Sequence, residues 1–179
     1  AKQAAIEAGA LIATGLNAAP GAATGVAVFD AARAEKRALA GEDVILVRPE
    51  TSPDDVAGML LSKGVLTQHG GATSHAAVVA RGNNLPCVVG CEAISVDTEN
   101  RRFTIGQVVV NEGDTLSIDG TTGEVFAGTI PTQDVELAKE HDLNTLLQWA
   151  DEIRTLGVYT NADYPRDARR ARSFGAEGI

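Results

Sequence analysis

The sequence predicts an α/β fold, and three observations carry that prediction. Val44–Val47 is an uninterrupted apolar run, which is typical of a strand buried on both faces of a sheet. Ser52 followed by Pro53 is typical of a helix start, so a helix is expected directly after that strand. From residue 96 to 126 the chain changes to short apolar segments separated by turn residues, which indicates antiparallel β structure.

The segments before residue 44 fit the same alternation. Residues 1–14 are rich in alanine and predict a helix that connects this chain to an upstream domain. Pro20 and Gly21 mark a turn before a strand expected over Val26–Phe29. Ala31–Leu39 is predicted to be a short helix whose charged residues face solvent.

The segments after residue 64 complete a domain predicted to span residues 15–128. A strand over Val65–Gln68 is expected to lead into a pair of glycines, and a short apolar helix that ends near Gly82 should follow. Cys87–Val89 is expected to be the next strand. The remaining strands are predicted at 108–110, 115–118 and 123–126.

The last fifty residues have a different pattern. Residues 129–157 are predicted to form a linker helix, because apolar residues recur at three- and four-residue spacing. These residues are Leu143, Leu146, Leu147, Ala150 and Ile153. Residues 158–179 read as strand, helix and strand, a βαβ unit too short to close a barrel.

Composition excludes several classes of partner. The chain has 15 Lys and Arg against 24 Asp and Glu, a net charge of −9, and no cluster of basic residues. Nucleic acids and anionic membranes bind such clusters, so neither is expected as a partner. No apolar run approaches the ~20 residues that span a bilayer. We therefore expect a cytoplasmic protein, and the absence of an initial methionine indicates a piece of a longer chain.

The cysteines do not predict a metal site. Cys87 and Cys91 lie four positions apart, which is not a zinc-ligand spacing, and no second pair exists to complete a tetrahedral site. Both are expected to be buried thiols. No metal and no cofactor are therefore predicted for this chain.

The residues around His75 carry the chemistry. Gly70 and Gly71 allow a sharp turn and close approach of a bulky anion. Thr73 or Ser74 is expected to cap the following helix, which places His75 in its first turn. A helix N-terminus favours anions and disfavours an imidazolium, so this histidine is expected to be nucleophilic and its phosphorylated form stabilised. The alternative is a histidine that only caps or packs.

The string from residue 70 to 81 is similar to the phosphohistidine signature of the phosphoenolpyruvate (PEP)-utilising enzymes. It reads G-G-x-T-x-H followed by small, apolar and arginine positions. Val44–Met59, Gly113–Val125 and the segment from Trp149 to Ala168 also resemble the pyruvate, phosphate dikinases within that family. His69 and Ala72 depart from the dikinase pattern, where arginine and methionine are expected.

The resemblance implies a phosphotransferase with paired acceptors. It implies a swivelling β/β/α domain in which His75 takes a phosphoryl group from an ATP-grasp domain and carries it to a PEP- and pyruvate-binding barrel. Residues 158–179 would begin that barrel. Mg²⁺ is expected in the other domains, and the full-length enzyme is expected to be a homo-oligomer.

The resemblance also bears on individual residues near the histidine. Thr73 corresponds to the target of a regulatory kinase in some dikinases. Cys91 lies in a segment expected near the phosphohistidine, and Arg81 ends the signature helix; both are candidates to line the site. For Arg81 we favour interaction with the negative end of the helix dipole over phosphate contact.

Two alternatives remain open from the sequence. The same carrier chemistry occurs in PEP synthases and in enzyme I of the phosphotransferase system. In a different class, the chain could be a non-catalytic β/α interaction domain, which would form no phosphohistidine with any donor.

Overall fold

The computed structural model describes residues 2–131 and 141–178. They belong to two compact units, one within residues 1–132 and the other within residues 133–179. Both helices and sheets are present, which confirms the α/β class predicted from the sequence.

The first unit alternates strands and helices over its first two thirds and then contains strands. In chain order it comprises α1 (Lys2–Glu7), β1 (Leu11–Thr14), β2 (Leu16–Ala19), β3 (Ala22–Val28), α2 (Ala31–Leu39), β4 (Val44–Arg48), a 3₁₀ turn (Pro53–Asp55), α3 (Val56–Leu61), β5 (Gly64–Thr67), α4 (His75–Gly82), β6 (Cys87–Val89), β7 (Ser95–Asp97), β8 (Arg102–Ile105), β9 (Val108–Asn111), β10 (Thr115–Asp119) and β11 (Glu124–Ala127).

Parallel strands form the centre of the main sheet. Among the described residues, eight strands pair in the order β1-β11-β10-β3-β4-β5-β6-β2. The β3-β4, β4-β5 and β5-β6 pairs are parallel, whereas the pairs at both ends are antiparallel. A separate antiparallel sheet has the order β7-β8-β9.

Two consecutive strands occupy the two edges of the main sheet. Only Gly15 separates β1 from β2, yet β1 pairs with β11 and β2 pairs with β6. The sheet must therefore curl so that its edges meet at one stretch of chain. The closure is tight: a Cβ on Gly120 would lie 1.9 Å from the carbonyl oxygen of Ala19.

The core lies on both faces of the main sheet. Along β4, Ile45 and Val47 join one buried cluster, which includes Phe103 of the small sheet. Val44 and Leu46 join another cluster, to which the helices contribute. The small sheet, the main sheet and the helices thus form successive layers, and the apolar run in β4 is explained by burial on both faces.

The sequence predictions for the central elements are confirmed. Helix α2, strand β6 and the end of α4 at Gly82 have the predicted bounds. The predicted helix over residues 1–14 needs correction, because it ends at Glu7. Gly9 adopts a φ of +75°, and Leu11–Thr14 then pairs with β11 as a strand. Strands β1, β2, β7 and β8 were not predicted; they have at most four residues each.

The second unit contains two helices, α5 (His141–Ile153) and α6 (Pro165–Ser173). A helix is present at α5, within the segment predicted as a linker helix, and the rest of that prediction falls partly on residues 132–140, outside the described residues. The linker role stays a prediction. The strands predicted around α6 are reduced to one parallel bridge between Tyr159 and Gly178. No helix in the described part of the chain has the length and apolar character to cross a membrane.

Substitution of Gly120 should destabilise the first unit. In Gly120→Ala the methyl group would overlap the Ala19 carbonyl, and such overpacking costs about 2 kcal/mol or more. Gly82→Ala is the matched control, because nothing lies within 4 Å of its added Cβ. Urea unfolding of both variants measures the difference; an unchanged midpoint for Gly120→Ala would contradict the tight closure.

Candidate functional site

His75 is the first residue of helix α4. A loop over residues 68–74 connects this helix to the carboxyl end of β5. Ser74 is the N-cap, and its Oγ accepts a hydrogen bond from the backbone N–H of Ala77 at 3.4 Å. Of the two capping residues expected from the sequence, the structure selects Ser74, whereas Thr73 is exposed. The histidine therefore lies at the positive end of the helix dipole.

The two glycines before the helix have different roles. Gly70 adopts a φ of +116°, a conformation that favours glycine. The carbonyl oxygen of Gly70 lies so close to Gly90 that a Cβ on Gly90 would be only 2.5 Å from it. The loop therefore packs closely on the turn after β6. Gly71 is exposed, with open space around its α-carbon, and its carbonyl accepts a hydrogen bond from the N–H of Ser74 at 2.9 Å.

The side chain of Thr51 contacts the histidine ring. Its Oγ1 lies 3.1 Å from Nδ1 of His75, and the ring is half-buried. When Nδ1 carries the ring proton and donates it to Thr51, Nε2 has the free lone pair that a nucleophile needs. In this tautomer Nδ1 is the hydrogen-bond donor and Nε2 is the nitrogen that can act as a nucleophile.

Sequence reasoning missed Thr51. The residue was inside the segment from Val44 to Met59 that resembles the dikinases, but no pattern linked it to a histidine 24 positions later. The parallel pairing of β4 with β5 brings the two loops together, because both strands end at the same edge of the sheet.

Arg81 ties the glycine loop to the edge of the sheet. Its Nη1 donates to the carbonyl of Ala18 in β2 at 3.1 Å, and its Nη2 donates to the carbonyl of Ala72 at 2.5 Å. The guanidinium thus crosslinks the segment just before His75 to β2. A role in lining the site stays a prediction, and the observed contacts are those of a clamp on the loop.

Both cysteines are fully buried in the core. Burial raises the pKa of the Cys87 thiol to about 12, and burial also raises the pKa of Cys91. Cys91 packs in the cluster that includes Phe103, while its backbone N–H donates to the carbonyl of Thr67 at 3.0 Å. Its proposed lining of the site stays a prediction.

In the described part of the chain, no group of three or more His, Cys, Asp or Glu side chains is arranged so that it could hold a metal ion.

The chain is similar to known proteins over most of its length. Residues 40–123 match the model of the PEP-utilising enzyme mobile domain. The wider chain is similar to part of pyruvate, phosphate dikinases. It is 50% identical over 165 residues to the enzyme of Entamoeba histolytica, covering 92% of this chain and 18% of that protein.

A plant relative gives the same relation. The chloroplastic pyruvate, phosphate dikinase of Mesembryanthemum crystallinum is 52% identical over 169 residues, which are 94% of this chain and 18% of that protein. The chain thus spans less than a fifth of the length of either relative. Among solved structures, an Enzyme I protein studied by NMR aligns with 59% of this chain and 38% of its own, at 27% identity and a TM-score of 0.36.

Loss of the Arg81 clamp should loosen the glycine loop. In Arg81→Lys a single amine replaces the guanidinium, which donates hydrogen bonds to two carbonyl groups. The free energy of unfolding should therefore fall by about 1 kcal/mol. Hydrogen exchange of the Ser74 backbone amide should also become faster. Arg101→Lys, at an exposed position, serves as the control. Unchanged Ser74 exchange in Arg81→Lys would contradict the clamp.

The cysteines should resist alkylation in the folded chain. A pKa of about 12 leaves Cys87 almost wholly protonated at pH 8, and the thiolate is the reactive form. Iodoacetamide at pH 8 should modify neither cysteine in buffer and both in denaturant, as measured by intact mass. Rapid labelling of Cys91 in buffer would show that its thiol reaches the surface.

Proposed function

We propose that this chain is the phosphoryl-carrying domain of a pyruvate, phosphate dikinase and that His75 is the carrier. The observation that carries the proposal is the position of His75 at the start of α4 with Nδ1 against Thr51. The match of residues 40–123 to the PEP-utilising mobile domain model supports the same role.

The proposed chemistry divides one transfer into three. Nε2 of His75 attacks the β-phosphorus of ATP, so that a P–N bond forms while the P–O bond to AMP breaks. Free phosphate then accepts the terminal phosphoryl group and leaves as diphosphate, so that one phosphoryl group stays on Nε2. In the last step the P–N bond breaks and that phosphoryl group passes to the enolate oxygen of pyruvate, which gives PEP; each step reverses. Covalent catalysis of this kind replaces one difficult step by easier ones.

The environment of His75 favours the phosphorylated state. The first N–H groups of a helix have no partner within the helix, and together with the dipole they stabilise a nearby anion. With the ring proton on Nδ1, which donates it in a hydrogen bond to Thr51 Oγ1, the ring needs to lose no proton before Nε2 attacks. Gly71, four residues before His75, has open space where a side chain would lie.

Both ends of the first unit are tied to its own sheet, which suits a domain that moves as one body. At the start, Lys2 Nζ donates to Asp119 at 2.6 Å and also pairs with Glu124. At the end, Ser117 Oγ donates to the carbonyl of Gly128 at 2.8 Å and accepts from the N–H of Ile130 at 2.9 Å. We therefore propose that swivelling pivots outside residues 2–130.

The remaining parts of the reaction belong to the rest of a longer protein. We propose an ATP-grasp domain and a PEP-binding barrel as partners, with Mg²⁺ in those domains, in a homo-oligomer. The βαβ arrangement of Tyr159, α6 and Gly178 supports residues 158–179 as the start of that barrel. The cytoplasm is the proposed compartment, although one of the relatives is chloroplastic.

Thr73 is proposed as a regulatory site. It is exposed and lies two residues before His75. A phosphate on Thr73 would set a dianion beside the nucleophile and repel an incoming phosphoryl donor.

The proposal predicts one acid-labile phosphoryl group on the full-length protein that contains this chain. Incubation with PEP, or with ATP and phosphate, should produce it in the unaltered protein and in His141→Asn, but not in His75→Asn. Intact mass before and after mild acid measures the adduct. Failure of every donor would support the non-catalytic interaction domain, and an adduct that survives in His75→Asn would place the carrier elsewhere.

A further inference from the structure

A buried carboxylate lies directly behind the loop that carries Thr51. Asp55 ends the 3₁₀ turn and is only 5% exposed. Its Oδ2 accepts hydrogen bonds from the backbone N–H of Ser52 at 2.9 Å and from Ser52 Oγ at 3.3 Å. The carboxylate thus fixes the backbone at the residue next to Thr51.

Arg48 connects this carboxylate to the sheet. Its Nε lies 3.4 Å from Asp55 Oδ1, and its Nη1 donates to the carbonyl of Phe29 at 3.0 Å. Nε is buried and makes no hydrogen bond within the described residues, so its charge is compensated by the nearby carboxylate. The pair therefore holds the start of the loop at Arg48 and its end at Ser52.

The same loop is also fastened to the segment that leads to His75. The carbonyl of Arg48 accepts from the N–H of Gln68 at 3.1 Å, and the carbonyl of Pro49 accepts from the N–H of His69 at 2.8 Å. Thr51 lies between these bonds and the Asp55 contacts. Its position against the ring is consequently determined from both sides.

We propose that Asp55, with Arg48, is a positioning residue for the phosphorylation of His75 and acts through Thr51. By holding the loop over residues 49–52, it keeps Thr51 Oγ1 at Nδ1 and the ring proton on that nitrogen. For its effect on rate this inference rests on the proposed carrier function, whereas its effect on the ring tautomer does not.

A purely structural role for Asp55 makes a different prediction. As part of a capping box it stabilises the start of a helix, and loss of a cap lowers stability without acting on Thr51. Asp54 offers a matched control, because it lies in the same turn with an exposed side chain. Asp54→Asn makes the same change of charge without disturbing the buried contacts.

The first arm of the test measures the tautomer in the 179-residue chain by ¹⁵N NMR of labelled histidine. Thr51→Val and Asp55→Asn should both shift His75 from the Nδ1–H towards the Nε2–H form, while Thr51→Ser and Asp54→Asn retain it. An unshifted tautomer in folded Asp55→Asn would overturn the proposal.

The second arm measures single-turnover phosphorylation in the full-length protein. Asp55→Asn should slow it about tenfold, because small misplacements of a reacting group have effects of this order or larger. In the Thr51→Val background the same change should add nothing, since both substitutions remove one interaction. If the rate of phosphorylation in the double variant falls by the product of the two single-variant losses, Asp55 acts independently of Thr51, and the proposal is overturned.

The test of Asp55 still gives an answer if the Asp55→Asn variant does not fold or if no phosphohistidine forms. If thermal unfolding shows that Asp55→Asn does not fold, Arg48→Lys replaces it, because the amine loses the forked contacts of the guanidinium. If the unaltered protein forms no phosphohistidine, the carrier function fails, and the tautomer measurement still decides the role of Asp55.

Discussion

The parallel pairing of β4 with β5 is the constraint on which the site depends. Both strands end at the same edge of the sheet, so the loop after β4 and the loop after β5 run side by side. One loop carries Thr51 and the other leads to His75, and their side chains meet at 3.1 Å. Neither loop alone would differentiate the two ring nitrogens.

Contacts elsewhere in the fold also hold the segments that carry Thr51 and His75. Arg81 crosslinks the glycine loop to β2, an edge strand that belongs to the same closed sheet. That closure requires glycine where backbones approach most closely, as at Gly120 against Ala19. His75 thus follows two glycines, and the neighbouring segments hold these glycines in one conformation. Such support places a side chain accurately without enclosing it.

The sequence predicted the elements that follow strong local rules. The apolar run of β4 and the Ser52-Pro53 start of the next helix were both correct, because burial and capping act over a few residues. Strands β1 and β2 escaped prediction, since their pairing depends on partners about 70 to 115 positions away, as Leu16 with Val89 and Leu11 with Phe126 show. The proposed role of His75 comes from its local motif, whereas Thr51 and the Arg81 contacts depend on tertiary geometry.

The central claim is that the fold makes Nε2 of His75 the phosphoryl acceptor. Phosphoramidate tests it on the 179-residue chain, because this small donor transfers its phosphoryl group to imidazole with release of ammonia and needs no other domain. The other histidines, His69 and His141, are internal controls. We expect ³¹P and ¹⁵N NMR to show phosphorylation first at Nε2 of His75. Equal modification of the three histidines, or reaction of His75 at Nδ1, would contradict the account.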